Sequence, residues 1–235
     1  MLAIGAYEKC KQYINLHSVD SDTRKEIFPC ITISRQTGSG SYEVSEKLIN
    51  ILQKKSKDPN NPWTYFNKDL ITKVIEEFKL PKVFTSYIAE NKYSPISDAV
   101  NELLGVKPAE WTILHKSTEI ILQLARYGKT IIVGRGSNVI TAKLPNSFHV
   151  RLIAPIENRL KHVQEVFKYS KPEAMEYIKK EDANRHKYLK SHFFRDPEDP
   201  TLYHITINTG KFSYEECAFV IADALVKKFP QNFVE

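Results

Sequence analysis

The sequence predicts an α/β protein whose parallel β-sheet is covered by helices on both faces. Five short β-rich segments alternate along the chain with helical patterns, which is typical of a parallel sheet. An apolar run, Ile31–Ser34, breaks into a glycine-rich turn and then a helix, an order that α/β proteins use to bind phosphate. The chain has 235 residues, of which 42% are hydrophobic, so it can bury a sizeable core as one large domain or as a domain with a modest insertion.

The predicted strands are short runs rich in β-branched and aromatic residues: Cys30–Ser34, Trp63–Phe66, Thr130–Val133, Phe148–Ile153 and His204–Ile207. Helical spacing of apolar residues lies between them: Tyr42–Gln53, Lys68–Phe78, Ala109–Tyr127, Pro155–Lys168, Pro172–Lys190 and Ser213–Phe229. A further helical stretch, Lys82–Leu104, is expected as an insertion between the second and third strands. Residues 1–28 are expected to form a helical N-terminal extension before the main domain, residues 29–235.

Composition narrows the classes of partner. A net charge of +6, from 34 basic and 28 acidic residues, suits polyanionic ligands such as phosphates. Nucleic acid is not expected as a partner, because the sequence has no basic block with interleaved aromatic residues. No apolar run approaches ~18 residues, so no membrane partner is expected. Cys10, Cys30 and Cys217 are scattered and lack metal-site spacing, which predicts reduced, core-filling residues of a cytoplasmic protein; the oligomeric state is left open.

The glycine-rich turn is the first candidate for chemistry. Gly38 and Gly40 permit a tight path on which backbone N–H groups can surround a phosphate. The predicted phosphate-binding residues are Gly38, Ser39, Gly40, Ser41 and Tyr42. A complete P-loop would place a lysine after the second glycine, where this chain has Ser41. Arg35 could supply part of the missing charge, or it could cap the strand; the whole turn could also be an ordinary βα connection.

Arginines near later strand and helix ends form a second candidate group. The buried strand that ends in Gly134-Arg135-Gly136 puts Arg135 at the carboxyl edge of the sheet, where ligands of open α/β sheets bind. Asp182 and Arg185 are three residues apart and share one face of a predicted helix. Phosphoryl transfer needs several cations around the transferred group, so Arg159 and Arg185 are predicted to clamp it. The alternatives are an Arg135 paired with an acid and a charged run that simply faces solvent.

Six motifs, taken in order, resemble those of the cytidylate kinase-like family: Ile33–Gly40, Tyr65–Ile71, Ile132–Gly136, Val150–Pro155, Asp182–Arg185 and Asp199–Thr209. The resemblance covers roughly residues 29–229. It implies a three-layer P-loop NTPase fold with a five-stranded parallel sheet. It also implies a helical insertion that binds the nucleoside monophosphate, at about residues 67–108, and a helical lid, at about residues 156–195.

The same resemblance implies small-molecule nucleotide substrates, with ATP at the glycine turn and Mg²⁺ bridging its phosphates. Arg135 aligns with an arginine that touches the acceptor nucleotide in cytidylate kinases, and Asn67 stands on the acceptor side. Asp182 aligns with the acid that positions the lid arginines. Asn208 and Thr209 would flank the adenine.

Several residues depart from the pattern of cytidylate kinases. Ser41 replaces the P-loop lysine, Gly136 replaces an aspartate of the acceptor site, and Asn67 stands where the family favours aspartate. The leading hypothesis is ATP-dependent phosphoryl transfer to a small acceptor, most readily a nucleoside monophosphate such as CMP, with Glu43 or Ser41 helping to hold Mg²⁺. A kinase of a non-nucleotide hydroxyl and a non-catalytic nucleotide-binding or sensory protein are the alternatives.

Overall fold

Five parallel strands carry the fold in the computed structural model, which describes residues 8–14, 27–58, 60–77 and 109–234. The strands are β1 (Cys30–Arg35), β2 (Thr64–Phe66), β3 (Thr130–Val133), β4 (Ser147–Ile153) and β5 (Ile205–Asn208). Their spatial order is β2-β3-β1-β4-β5, so β1 lies at the centre, paired in parallel with β3 and β4. The five predicted strands and their parallel arrangement are confirmed.

Helices follow or precede every strand. They are α1 (Ser41–Lys55), α2 (Lys68–Glu77), α3 (Ala109–Tyr127), α4 (Ser137–Ile140), α5 (Ile156–Phe167), α6 (Lys171–Phe193) and α7 (Tyr214–Lys228). The predicted helices agree with these bounds to within a few residues, whereas α4 is too short to show helical periodicity and was not predicted. The predicted helix over Lys82–Leu104 lies outside the described residues. Of the predicted N-terminal extension, residues 8–14 are helical.

Two hydrophobic clusters cover the two faces of the sheet. One cluster joins α1 and α7 to the sheet through residues such as Leu48, Ile221 and Ile33, and the other joins α2 and α3 to Ile132. Strands buried on both faces are expected in a parallel sheet. All three cysteines are free and buried, as predicted for core-filling residues. No helix within the described ranges is both long enough and apolar enough to cross a membrane.

A buried histidine predicts how stability depends on pH. Nδ1 of His149 lies 2.8 Å from the Thr32 hydroxyl, and burial, with smaller effects of His204 and Lys228, lowers the pKa of His149 to about 4. An unfolded imidazole has a pKa near 6.5. The unfolded state therefore binds a proton that the folded state excludes between these values, and the free energy of unfolding should fall by about 3 kcal/mol as the pH drops from 7 to 4.

Urea denaturation at several pH values tests this expectation. His149→Asn should flatten the dependence between pH 6.5 and 4, because the titrating group is removed. An equally steep fall in the variant would assign the acid sensitivity to other groups.

Candidate active site

A cavity of about 660 Å³ lies at the carboxyl edge of the sheet. One wall consists of residues 34–36, at the end of β1, and of residues 134–136, which follow β3; the opposite wall is helix α6. Since β1 and β3 are neighbours, the sheet order brings Arg35 and Arg135 into one cavity. This edge is where open α/β sheets bind ligands.

The acidic side chains of the cavity are neutralised by arginines. The ion pairs are Arg151–Glu198, Arg159–Asp182, Arg185–Asp182 and Arg185–Glu181. In contrast, Arg35, Lys68 and Arg135 also line the cavity and form no ion pair with any residue that the structure describes. The cavity therefore carries uncompensated positive charge, which favours an anionic ligand.

Arg35 lies over the glycine that follows β3. A Cβ atom added to Gly134 would be 2.1 Å from Nη1 of Arg35, so the absence of a side chain makes room for the guanidinium group. Burial, followed by repulsion from Arg185, lowers the pKa of Arg35 to about 10, so the group stays protonated at neutral pH. Arg35 thus contributes charge to the cavity next to β3, whereas the sequence suggested a charge at the glycine-rich turn.

Asp182 of α6 is bound to the glycine-rich turn. The Thr37 backbone N–H and hydroxyl donate to Oδ1 of Asp182 at 2.8 and 2.6 Å. Arg159 Nη1 lies 2.5 Å from Oδ2, and Arg185 Nη1 lies 3.2 Å from Oδ1. The carboxylate therefore takes up both lid arginines that the sequence assigned to a phosphoryl group. It also takes up the amide of Thr37, a turn residue that was not among the predicted phosphate ligands.

The turn has the backbone that its glycines predict. Gly38 and Gly40 have φ angles of 81° and 72°, in the left-handed region. A Cβ atom on Gly38 would lie 2.6 Å from the backbone oxygen of Arg159, and one on Gly40 would lie 2.2 Å from the Tyr214 ring. The turn is thus packed against α5 and α7.

The glycine-rich turn, which the sequence predicts as the phosphate site, lies outside the lining of the cavity. Ser39 is buried, and its hydroxyl donates to the Gln36 carbonyl at 2.9 Å. Helix α1 begins at Ser41. The first N–H groups of a helix have no acceptor within it, and they give its N-terminal end a partial positive charge. Residues 38–41 do not line the 660 Å³ cavity but lie beside it.

Five other predicted residues also lie outside the set that lines the cavity: Arg159, which reaches Asp182 from α5, and Tyr42, Asn67, Asn208 and Thr209. The Asn67 side chain accepts a hydrogen bond from the Leu70 N–H at 2.9 Å and caps α2. Tyr42 donates to Glu46, and its ring lies edge to face against Tyr65 with ring centroids 6.0 Å apart. Asn208 accepts from the Gly210 N–H, and Thr209 donates to the Ile153 carbonyl at the end of β4. In this conformation the polar groups of these side chains bind within the protein.

Arg135 lies in the cavity at the carboxyl edge of the sheet, whereas most other lining residues were not predicted, among them Lys68, Asn138, Arg151 and Tyr188. Arg151 had a usable signal, because a charged residue interrupts the apolar run of β4. Asn138 and Tyr188 had none, since only the packing of α6 against the segment after β3 brings them to the same cavity.

Glu43 presents a carboxylate oxygen without a partner, and no cluster of three or more His, Cys, Asp or Glu side chains suited to a metal occurs among the described residues. Glu43 lies in the first turn of α1, and its buried Oε2 atom has no hydrogen-bond partner among the described residues. Its Oε1 atom lies 3.6 Å from Nε2 of His162. Carboxylate oxygens are ligands that Mg²⁺ prefers, with water and substrate phosphates completing its coordination.

Comparisons with known proteins agree with this architecture. The model of the cytidylate kinase-like family matches residues 30–211. A uronate isomerase of Corynebacterium glutamicum is 24% identical to this chain over 164 residues. The match covers 70% of this chain but only 30% of the length of that protein. An uncharacterized protein from Eubacterium ventriosum ATCC 27560 is similar in structure, with a TM-score of 0.63, 20% identity, and coverage of 85% of this chain and 98% of that chain.

A gluconokinase from Sinorhizobium meliloti 1021 has a TM-score of 0.47 and 9% identity, with 88% of this chain and 98% of that chain covered. The sheet order and the similarity to the Eubacterium structure confirm the predicted α/β fold with five parallel strands. The family model extends from the first strand to just beyond the fifth. The chain therefore belongs to the cytidylate kinase-like family.

Proposed function

We propose that this protein transfers a phosphoryl group from ATP to a small anionic acceptor, for which a nucleoside monophosphate such as CMP is the first candidate. The observation that carries the proposal is the convergence of Arg35, Lys68 and Arg135, without acidic partners among the described residues, on one cavity beside the glycine-rich turn. Guanidinium and ammonium groups bind phosphate oxygens strongly. Membership in a kinase-like family supports phosphoryl transfer in general and small nucleotide substrates.

The donor would bind at the start of α1. Backbone N–H groups and the helix dipole make a helix N-terminus a ready site for phosphate. A phosphate that uses the Thr37 amide has to displace Asp182, and this exchange frees Arg159 and Arg185 to contact the transferred group. Glu43 would hold Mg²⁺, which when bound neutralises phosphate charge.

Two observations favour the alternatives. Ser41 at the lysine position, together with the Asp182 carboxylate on Thr37, favours a protein that binds nucleotide without transferring phosphate. A kinase of a non-nucleotide hydroxyl is favoured by Gly136, which has no carboxylate to read a nucleobase, and by Asn67, whose side chain caps a helix.

A coupled turnover assay with ATP and excess Mg²⁺ separates these functions. We expect turnover with at least one acceptor in a panel of CMP, dCMP, UMP, AMP and phosphate-free or carboxylate-bearing alcohols. Turnover restricted to the non-nucleotide alcohols would select the second kinase hypothesis. Nucleotide binding by calorimetry, with no transfer to any acceptor, would instead identify a non-catalytic binding protein.

A further inference from the structure

The cavity holds three buried polar atoms that form no well-aligned hydrogen bond among the residues that the structure describes. They are Nε of Arg135, Nδ2 of Asn138 and the hydroxyl oxygen of Tyr188. Tyr188 and Arg135 are close enough to interact with each other, whereas the Asn138 amide has no such neighbour among the described residues. Asn138 is only 5% exposed, so water has little access to its amide. A buried polar group without a partner is destabilising by about 1–3 kcal/mol, and native proteins contain few of them.

Neighbouring side chains fix these three groups. Asn138 follows Arg135 by three residues, in the short helix α4, while Tyr188 approaches from α6. The Tyr188 ring packs edge to face against Phe193 with ring centroids 5.9 Å apart, and the Phe193 ring lies against Gly136. Arg135 is anchored from Nη2, which donates to Thr72 at 3.2 Å. The arrangement is therefore built into the fold.

The hydrogen-bonding capacity of the three groups indicates which kind of ligand they can bind. Nε of arginine and the amide nitrogen of asparagine can only donate hydrogen bonds. Burial raises the pKa of Tyr188, against smaller opposing effects of the Arg135 charge and of a side-chain hydrogen bond with Arg135. Because arginine only donates, the phenol oxygen is the acceptor of that bond, and the phenol keeps its own proton to donate. Three convergent donors next to a guanidinium charge suit a group that only accepts hydrogen bonds and carries negative charge.

A nucleobase edge does not match this part of the cavity. Recognition of a base also requires hydrogen-bond acceptors, and the carboxylates that line the cavity are all paired with arginines. At Gly136 a Cβ atom would lie 2.6 Å from the Phe193 ring, so the carboxylate that cytidylate kinases carry there has no room in this chain.

We propose that Arg135, Asn138 and Tyr188 form an oxyanion site that binds a carboxylate or phosphate monoester group of the acceptor. The assignment of that group to an acceptor rests on the proposed function, whereas the binding of an oxyanion does not. The acceptor is then held by its oxyanion and not by a base, whether that oxyanion is the phosphate of a nucleotide or the carboxylate of a hydroxy acid.

Asn138→Leu tests the site, with Asn146→Leu as its matched control. Removal of the unpartnered amide should leave the melting temperature of the ligand-free protein unchanged or raised, yet weaken binding of inorganic phosphate and CMP by about 10- to 100-fold. Asn146 is equally buried, but its amide donates to the Phe28 and Ala125 carbonyls at 2.7 and 2.8 Å. Asn146→Leu should therefore lower the melting temperature and leave the affinity of the folded protein unchanged.

Tyr188→Phe provides a second variant that removes only a hydroxyl group. Calorimetry should show a similar loss of affinity, with little change in stability. Paired ligands identify the source of the oxyanion: binding of CMP but not cytidine indicates a phosphate monoester, and binding of a hydroxy acid but not the matching polyol indicates a carboxylate.

The proposal is overturned if the wild-type protein binds none of inorganic phosphate, CMP and the hydroxy acids. It is also overturned if both variants bind them as the wild type does, which would place any observed phosphate at the glycine-rich turn instead. Loss of affinity in the variants without turnover of any acceptor would remove the proposed function and leave the oxyanion site standing.

Discussion

Replacement of Arg185 by alanine is expected to lower kcat by at least about 100-fold, the usual effect of losing a preorganised charge that stabilises a transition state. Arg185 lies against the Thr37 hydroxyl and the Asp182 carboxylate, so it is poised at the edge of the predicted phosphate site. Its side chain is 29% exposed, and ion pairs at such positions contribute less than about 1 kcal/mol to stability. Steady-state kinetics and thermal denaturation of the same preparation measure both effects.

Lys187→Ala is the control for this experiment. Lys187 is an exposed basic residue of the same helix, α6, and its removal changes the net charge equally. It should leave both kcat and the melting temperature near their wild-type values. Unchanged turnover in Arg185→Ala would show that this arginine does not act on the transferred group.

Replacement of Gly38 by alanine is expected to lower the free energy of unfolding by about 2–5 kcal/mol. The left-handed backbone accounts for about 1–2 kcal/mol of this, and overpacking for about 1–3 kcal/mol. The new Cβ atom would lie 2.6 Å from the backbone oxygen of Arg159, within helix α5, which cannot move aside as a side chain can. Urea denaturation measures the loss.

Gly134→Ala separates the two contributions. Gly134 has a φ of 83°, close to the 81° of Gly38, but its nearest neighbour is the flexible end of Arg35. The substitution should therefore lower stability only by the backbone contribution, about 1–2 kcal/mol. Equal losses for the two variants would mean that the contact with α5 adds no strain.

The strands and most helices were predictable because their signals are local. Apolar, β-branched runs such as the one in β3 are distinct from the helical periodicity of α5 or α7, and the glycines at positions 38 and 40 indicated a turn with left-handed backbone. Arg135 was predictable as a cavity residue because the carboxyl ends of parallel strands share one edge.

The rest of the site depends on contacts between distant parts of the chain. The Tyr214 ring reaches Gly40 from α7, and Tyr188 reaches the segment after β3 from α6, neither of which follows from a spacing in the sequence. Asn67 shows a second reason why sequence alone does not determine the site: one side chain can have two uses. Its amide suits an acceptor site and a helix cap equally well, and the structure shows the second use. The roles assigned to Asn208 and Thr209 stay predictions.

The carboxylate of Asp182 makes the chain its own competitor for the Thr37 amide. A nucleotide can bind at this amide only in the molecules in which Asp182 has left it. The measured dissociation constant therefore equals the intrinsic constant divided by the fraction of molecules in which the amide is vacant. With about one vacant molecule in a hundred, the apparent affinity is about 100-fold weaker than the intrinsic one. Weak ATP binding would thus be compatible with a well-formed anion site. Asp182→Ala leaves no side-chain acceptor for the Thr37 amide, so it would be the variant in which the intrinsic affinity emerges.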